Sequence, residues 1–167
     1  YKLYGEETIQ LLYDDPYLLM DEGLDAPFAA VDRFAIELGV SGDDPRRIEA
    51  GILFELKYNL TAGHSFLPED KLVGATAQLL SVEPETVTAG LDRLLEADRV
   101  VRDSLAGIVI DYLPELHEAE LYTARYLLQA ARITFPAPKN LESMVRQAAG
   151  DGGIHYSAQQ EQAIREA

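Results

Sequence analysis

The chain has 167 residues, 47% hydrophobic and 26% charged, a balance typical of a folded globular protein rather than a disordered one. It contains no cysteine, which excludes disulfides and thiolate metal sites. Its three histidines, His64, His117 and His155, are too far apart for a ligand pattern, so we expect no metal site. Its 29 acidic and 14 basic residues give a formal charge of −15, and such a surface is expected to bind nucleic acid poorly.

The sequence shows no sign of membrane insertion or export. No stretch approaches the roughly 20 consecutive apolar residues that a spanning helix needs. The first five residues, Tyr1–Gly5, lack the pattern of a signal peptide. We therefore expect a soluble, cytoplasmic protein with no membrane partner, which agrees with the absence of cysteine.

Residues 1–62 predict a helical region, because apolar residues recur at helical spacing between prolines and glycines. The predicted helices begin after Gly5, at Pro16, at Pro27 and at Pro45. Gly39 and Gly63 stand where a left-handed residue would close the last two.

Residues 63–135 predict two short helices, a β-hairpin and a long helix. The side chains expected to face the core on the short helices are Leu72, Thr76, Leu79, Leu80, Val87, Leu91, Leu94 and Leu95. The apolar period changes to two near residues 99–113, around a turn at 104–107, so we predict the one hairpin there. Two helices followed by a hairpin is the element order of a winged helix. Pro114 then starts a long helix, with Tyr126 and Leu127 on its apolar face, that the prolines of 135–138 break.

Residues 136–167 predict a connector and the start of another domain. Asn140 caps a short helix that Gly150 ends, and residues 151–153 are typical of a mobile connector. Ser157 can cap a further helix that has barely begun when the sequence stops at Ala167. We therefore expect this sequence to be a piece of a longer protein.

Several signatures occur in a specific order along the chain. They are Tyr4-Gly5-Glu6-Glu7, Asp15-Pro16-Tyr17-Leu18, Pro45-Arg46-Arg47-Ile48-Glu49-Ala50-Gly51, Gly63-His64-Ser65-Phe66-Leu67-Pro68, Tyr112-Leu113-Pro114-Glu115-Leu116 and Tyr156-Ser157-Ala158-Gln159-Gln160-Glu161-Gln162-Ala163-Ile164. In this order they resemble the region upstream of the motor in RecD-like DNA helicases, the exodeoxyribonuclease V alpha-subunit family in its long N-terminal form.

The resemblance implies a mainly α fold in three parts: a helix-hairpin-helix region (1–62), a winged-helix-like unit with one β-hairpin and a long helix (63–135), and the start of the motor domain (136–167). It implies a fragment of an ATP-dependent 5′–3′ DNA helicase of superfamily 1, acting in DNA guidance or motor regulation and connected with DNA repair. The full-length protein would use ATP and Mg and bind single-stranded DNA.

Gln160 occupies the position of the adenine-reading residue in the Q motif that residues 156–164 resemble. Its amide carries a donor and an acceptor and can pair with adenine N6 and N7. Alternatively, Ser157 and Gln160 form a capping box, and one residue can serve both roles. The phosphate loop expected shortly downstream is not in this sequence, so we expect the fragment to hold no cofactor and to be inactive alone.

Four arginines are candidate phosphate contacts: Arg46, Arg47, Arg99 and Arg102. Each has acidic neighbours, and Arg46 and Arg47 could instead be solvated. In the hairpin at Asp25-Ala26-Pro27, Pro27 has no N–H to donate to phosphate, and Asp25 could simply be a helix cap.

No catalytic constellation is found, so we assign no catalytic residue to this chain. A second hypothesis therefore stays open. The chain could be a non-enzymatic, acidic winged-helix module that binds a protein partner.

Overall fold

The computed structural model describes residues 8–20, 24, 26–133, 140–153 and 155–166. Parts of the sequence interpretation lie outside these residues: the Tyr4–Glu7 signature, Asp25, the proline break at 135–138 and Ile154. Over the described residues the fold is mainly helical with one small antiparallel sheet, and the prediction of a mainly α protein is confirmed.

The elements follow one another in an order close to the predicted one. They are α1 (Thr8–Asp14), a 3₁₀ helix (Pro16–Met20), α2 (Phe28–Glu37), α3 (Pro45–Leu60), β1 (Phe66–Pro68), α4 (Glu69–Leu80), α5 (Pro84–Glu96), β2 (Val101–Leu105), β3 (Ile108–Tyr112), α6 (Pro114–Ala130), α7 (Leu141–Gly152) and α8 (Ala158–Glu166). Proline begins α3, α5 and α6, where its missing N–H breaks no helical hydrogen bond. Asp44 caps α3 by accepting a hydrogen bond from the Arg46 backbone N–H at 2.9 Å.

The sheet has three antiparallel strands in the order β1-β3-β2. Strand β1 pairs with β3 through Phe66 opposite Tyr112, a pair whose rings lie 5.2 Å apart. The sequence interpretation missed β1. A three-residue strand that ends in proline is too short to show a period of two and carries a residue that strands avoid.

The hairpin of β2 and β3 lies inside the predicted range, but its turn is shorter than predicted. Ser104 and Leu105 belong to β2 and pair with Val109 and Ile108. The turn consists of residues 106 and 107 alone, with φ of 52° and 82°. Two positive φ angles are the mark of a type I′ turn, whose twist matches that of the flanking strands.

The core forms where α3 packs against α2, α4 and α5. Its buried members include Phe28, Val31, Ile48, Ile52, Leu56, Leu72, Leu80, Val87, Leu91 and Leu94. Two glycines allow the close approach of these helices. A Cβ on Gly90 of α5 would lie 2.5 Å from Ile48 Cγ2, and one on Gly51 of α3 would lie 2.8 Å from Leu80 Cδ1.

Some residues predicted to face the core are exposed. Leu79 on α4 is 39% exposed, because its neighbour Leu80 takes the inward position beside Gly51. Tyr126 and Leu127 on α6 are about 60% exposed, at 61% and 59%. None of the described helices has both the length and the apolar composition that crossing a membrane requires.

The chain divides into two compact units, residues 1–124 and 125–167. In the second unit Arg165 of α8 joins Glu142 of α7 at 2.8 Å and Glu161 at 2.9 Å. Helix α7 continues to Gly152, so the prediction that Gly150 ends it was wrong. The positive φ that glycine favours, 62°, occurs at Gly153 instead. The predicted boundaries at 62/63 and 135/136 stay predictions.

One largely buried ionic network connects α3 to four other segments of the first unit. The guanidinium of Arg47 donates to both carboxylate oxygens of Asp32 on α2, at 2.8 and 2.9 Å. It also donates to the carbonyl oxygens of Gly42 before α3, at 2.8 Å, and of Leu80 at the end of α4, at 3.1 Å. From the 3₁₀ helix the Tyr17 hydroxyl donates to Asp32 at 2.8 Å. Every charge in this network is therefore hydrogen-bonded.

The protonation of Asp32 depends on these partners. Burial raises the pKa of the carboxyl, but the hydrogen bonds from Arg47 and Tyr17 outweigh it and hold the pKa below its usual value. Burial and the bond to Asp32 raise the pKa of Tyr17, which keeps the phenol protonated as a donor. The network therefore holds one paired positive and one paired negative charge at neutral pH.

We expect Arg47→Gln to lower the free energy of unfolding by about 3 kcal/mol or more, because it leaves the Asp32 carboxylate without its countercharge. Arg93→Gln is the matched control, because Arg93 pairs with Glu49 at the surface with side-chain exposures of 42% and 23%. The loss of unfolding free energy in Arg93→Gln should stay below about 1 kcal/mol. Urea unfolding followed by circular dichroism measures both.

The pH dependence of stability tests the same pair in a second way. Asp32 has a lowered pKa when folded, so the pair stabilises the fold above the unfolded value of about 3.9. Its contribution disappears as the pH falls through the lower folded-state pKa. The difference in unfolding free energy between wild type and Arg47→Gln should become smaller in that acidic range. Equal and small losses for the two variants would show that the network does not hold these segments together.

Candidate nucleic-acid interface

The four arginines predicted as nucleic-acid contacts lie in three different environments. Arg46 and Arg99 line the same surface cleft, although 53 positions separate them in the sequence. Arg47 is 8% exposed and belongs to the buried network. Arg102 is tied to carboxylates on the sheet. Only the first two share a site.

The cleft has a volume of about 320 Å³ and lies between the 3₁₀ helix, α3 and the turn that joins α5 to β2. Its basic members are Arg46, Lys57 and Arg99. Arg46 and Lys57 are eleven positions apart on α3, which returns to nearly the same helix face after three turns. Lys57 was not among the predicted contacts, although this spacing from Arg46 could have identified it.

Acidic and apolar groups complete the cleft wall. Asp15 and Glu49 line it, and Glu49 is engaged by Arg93 at 2.8 Å. Leu18, Met20 and Leu53 provide an apolar side. The site thus combines cations with a surface that can contact a sugar or a base.

Arg46 is held in place by its own helix cap. Its guanidinium contacts both oxygens of Asp44, at 2.9 and 2.7 Å, and donates to the Asp14 carbonyl oxygen. Hydrogen bonds from Arg46 hold the pKa of Asp44 below its usual range, so this carboxylate stays charged. Arg46 is exposed, as the solvated alternative expected, although Asp44 largely balances its charge. For Arg47 that alternative was wrong, because the residue is buried.

Lys57 and Arg99 differ from Arg46 in this respect. Neither side chain makes a hydrogen bond or an ion pair with the part of the chain that the structure describes. Both residues are exposed. Among the described residues they are therefore the cations of the cleft without a protein partner.

The backbone fixes where Arg99 stands. Helix α5 ends in a Schellman motif, in which the N–H of Arg99 donates to Leu94 O at 2.9 Å and that of Asp98 to Leu95 O at 3.1 Å. Asp98 adopts the left-handed conformation, with φ of 54°. Val100, which follows Arg99, is 2% exposed and anchors the start of β2 in the core.

Arg47 and Arg102 both have their charges paired with carboxylates of the protein. The four hydrogen bonds of Arg47 leave its guanidinium no access to solvent-borne phosphate. Arg102 on β2 contacts Asp111 across the strand pair at 2.9 Å and Glu69 at 3.4 Å. Asp111 is fully buried, so its charge requires this partner. Both arginines therefore serve the fold, and we do not include them in the candidate interface.

The residues around Pro27 form the start of α2 and not a phosphate site. Pro27 itself occupies the N-cap position, with φ of −61° and ψ of 132°, and its carbonyl oxygen accepts from Ala30 and Val31 N–H. The alternative with Asp25 as the cap therefore places the cap two residues too early. A proline at this position offers no N–H to a ligand.

Gln160 forms the capping box that one of the two hypotheses predicted. Its side-chain oxygen accepts the Ser157 backbone N–H at 2.9 Å, and its own N–H donates to Ser157 Oγ at 3.3 Å. An amide oxygen has two lone pairs, so this bond still leaves room for a second donor. The capping alternative is confirmed, and adenine recognition stays a prediction.

The exposed side of α5 is acidic. Glu85, Asp92 and Glu96 are exposed there, and the one exposed arginine, Arg93, is paired with Glu49. A helix that entered a DNA groove would present cations or hydrogen-bonding groups toward phosphates and bases. This face of the first unit is therefore poorly suited to contact DNA.

The signature at Gly63-His64-Ser65 forms a turn beside the sheet. Gly63 has φ of 85°, and the His64 N–H donates to the Asn59 carbonyl oxygen at 3.1 Å. Ser65 Oγ donates to Glu120 of α6, which also accepts the Tyr112 hydroxyl at 3.1 Å. In the described ranges no group of three or more metal-ligating side chains comes together.

Residues 1–66 match the family model described as the ATP-dependent RecD2 DNA helicase HHH domain. The matched range contains α1, the 3₁₀ helix, α2 and α3, and with them Arg46 and Lys57 of the cleft. Arg99 lies beyond it. The first 66 residues are therefore similar to the N-terminal helical region of a RecD2-type helicase, in agreement with the signatures of the sequence.

Proposed function

We propose that this chain is the part of an ATP-dependent 5′–3′ DNA helicase of the RecD-like group that lies upstream of the motor and guides DNA or regulates the motor. The observation that carries the proposal is the match of residues 1–66 to a helicase HHH domain. The parent protein would use ATP and Mg and act on single-stranded DNA in the cytoplasm, in DNA repair.

The order of elements after α3 supports the proposal. A strand, two helices and a hairpin follow one another, and the strands align as β1-β3-β2. Helices α4 and α5 are joined by residues 81–83 alone, a linker length found in helix-turn-helix units. We propose that this part of the chain is a winged-helix-like unit attached to the helix-hairpin-helix region.

Within the proposed helicase, hydrolysis belongs to the motor. The phosphate loop of the motor would hold the ATP phosphates. The residues of this chain would position DNA at the cleft and, through Gln160, contact the adenine. The long-N-terminus form of the family is likewise part of the proposal.

A second function is favoured by charge. The net charge of −15 and the acidic face of α5 suit a non-enzymatic winged-helix module that binds a basic protein partner. Such a module would need no nucleotide. The two functions therefore predict different coding sequence downstream of Ala167.

Sequencing about 20 codons downstream of Ala167 separates the two functions. The helicase proposal expects the phosphate-loop pattern Gly-x-x-x-x-Gly-Lys-Ser/Thr in that stretch. A stop codon there, or a sequence without this pattern, would contradict the helicase and favour the interaction module.

In the full-length protein we expect Gln160→Ala to lower the ratio of kcat/KM for ATP to that for GTP. Guanine presents an O6 acceptor where adenine presents the N6 donor, so only adenine can donate a hydrogen bond to the side-chain oxygen of Gln160. Losing one or two such hydrogen bonds costs about 1–3 kcal/mol, roughly five- to a hundredfold. Steady-state hydrolysis of both nucleotides gives the ratio.

Ser157→Ala is the control for this prediction. It removes the hydroxyl that accepts the Gln160 N–H and should cost about 1 kcal/mol of stability, while leaving the glutamine amide available. The nucleotide ratio should not change in this variant. If Gln160→Ala also leaves the ratio unchanged within about twofold, Gln160 is a helix cap only.

A further inference from the structure

The cleft lined by Arg46, Lys57 and Arg99 differs in charge from the protein around it. The chain carries twice as many acidic as basic residues, 29 against 14, yet three cations converge here. Two of them, Lys57 and Arg99, have no anionic partner among the described residues. Asp15 and Glu49 also line the cleft, so its charge is only slightly positive, but on a protein of net charge −15 such a place attracts a polyanion more than its surroundings do.

The dimensions of the cleft favour a strand over a single small anion. Eleven positions of helix separate Arg46 from Lys57, a rise of roughly 16 Å. The cleft is therefore longer than a single phosphate, although only Lys57 and Arg99 are offered as its contacting cations. A nucleic-acid strand carries a phosphate every few ångströms, roughly 3.4 Å along a duplex axis, and so presents several over this length.

The apolar part of the cleft suits the rest of a nucleotide. Leu18 and Met20 of the 3₁₀ helix, and Leu53 between Arg46 and Lys57 on α3, give a surface on which a sugar or base edge can rest beside the cations. Binding of single strands commonly combines a cationic groove with such contacts.

We propose that this cleft binds the phosphate backbone of single-stranded DNA, with Lys57 and Arg99 as the contacting cations. The inference rests on the proposed function and gives it a location. Arg46, whose charge Asp44 balances, lines one end of the cleft and is not counted as a contact. The site is built from the helix-hairpin-helix-like part and from the turn before the hairpin, so that DNA contacts both parts at once.

Two other surfaces of the first unit are poorly suited to bind DNA. The hairpin around Pro27 lacks the N–H that would bind phosphate, and the exposed face of α5 is acidic. Because few cations are involved, the affinity should be modest. We expect a Kd no tighter than about 10⁻⁵ M at physiological salt.

The test compares two double variants of the full chain with the same change in charge. Lys57→Gln with Arg99→Gln removes the two proposed contacts, and Arg33→Gln with Lys71→Gln removes two exposed cations outside the cleft. Fluorescence anisotropy with a short labelled oligothymidylate at low salt measures binding. We expect at least fivefold weaker binding for the cleft variant and less than a twofold change for the control.

The salt dependence gives an independent readout. Loss of two phosphate contacts on a single strand should reduce the slope of log K against log salt by about 1.4. Equal losses of affinity and slope in both double variants would overturn the cleft, because binding would then follow overall charge. Melting curves establish that both variants fold.

Nuclear magnetic resonance of the unmodified protein tests the cleft without any variant. The Nε–Hε signal of Arg99 should move with the oligothymidylate and stay in place with equal phosphate concentrations of AMP or inorganic phosphate. A shift of equal size with AMP would assign a mononucleotide instead of a strand. Binding of the oligonucleotide without any shift at Arg99 would overturn the cleft and leave the proposed function standing, whereas no binding at all would contradict DNA contact by this chain.

Discussion

The ion pair between Arg47 and Asp32 is the contact on which the first unit depends. It joins α2 to α3 and extends to Tyr17 of the 3₁₀ helix and to the carbonyl oxygen of Leu80. Because each charge is paired and hydrogen-bonded, the network adds directional contacts to the apolar packing between these segments. Through Tyr17 the network also reaches the 3₁₀ helix, which supplies one side of the cleft.

Helix α3 has two functions because it has two faces. Ile48, Ile52 and Leu56 face the core, and the opposite side carries Arg46 and Lys57 into the cleft. The close approach of α5 at Gly90 brings the end of that helix, and Arg99 after it, to the same side. Packing in the core thus determines which distant cations share a site on the surface.

The sequence predicted most of the helices, because proline and glycine mark their ends and apolar spacing marks their inner faces. It also predicted the hairpin, and the resemblance agreed with the family match over residues 1–66. It could not predict β1, whose existence depends on pairing with β3 far along the chain. Local pattern carries no information about such a partner.

The candidate site was predictable only in part for a similar reason. Arg46 and Arg47 are adjacent arginines on one helix. Successive helical residues point about 100° apart, so Arg46 lies at the surface and Arg47 is buried. Their acidic neighbours in sequence did not reveal that the partner of Arg47 is Asp32, fifteen positions away. The convergence of Arg46 with Arg99 needs the packed structure.

Lysine footprinting tests the central claim, that single-stranded DNA lies in this cleft, most directly. The chain has lysines at 2, 57, 71 and 139, and Lys71 on α4 lies outside the cleft and serves as an internal control. We predict that oligothymidylate slows acetylation of Lys57 severalfold, measured by mass spectrometry at low salt, and leaves Lys71 unchanged. Acetylation of Lys57 at the same rate with and without saturating DNA would contradict the account.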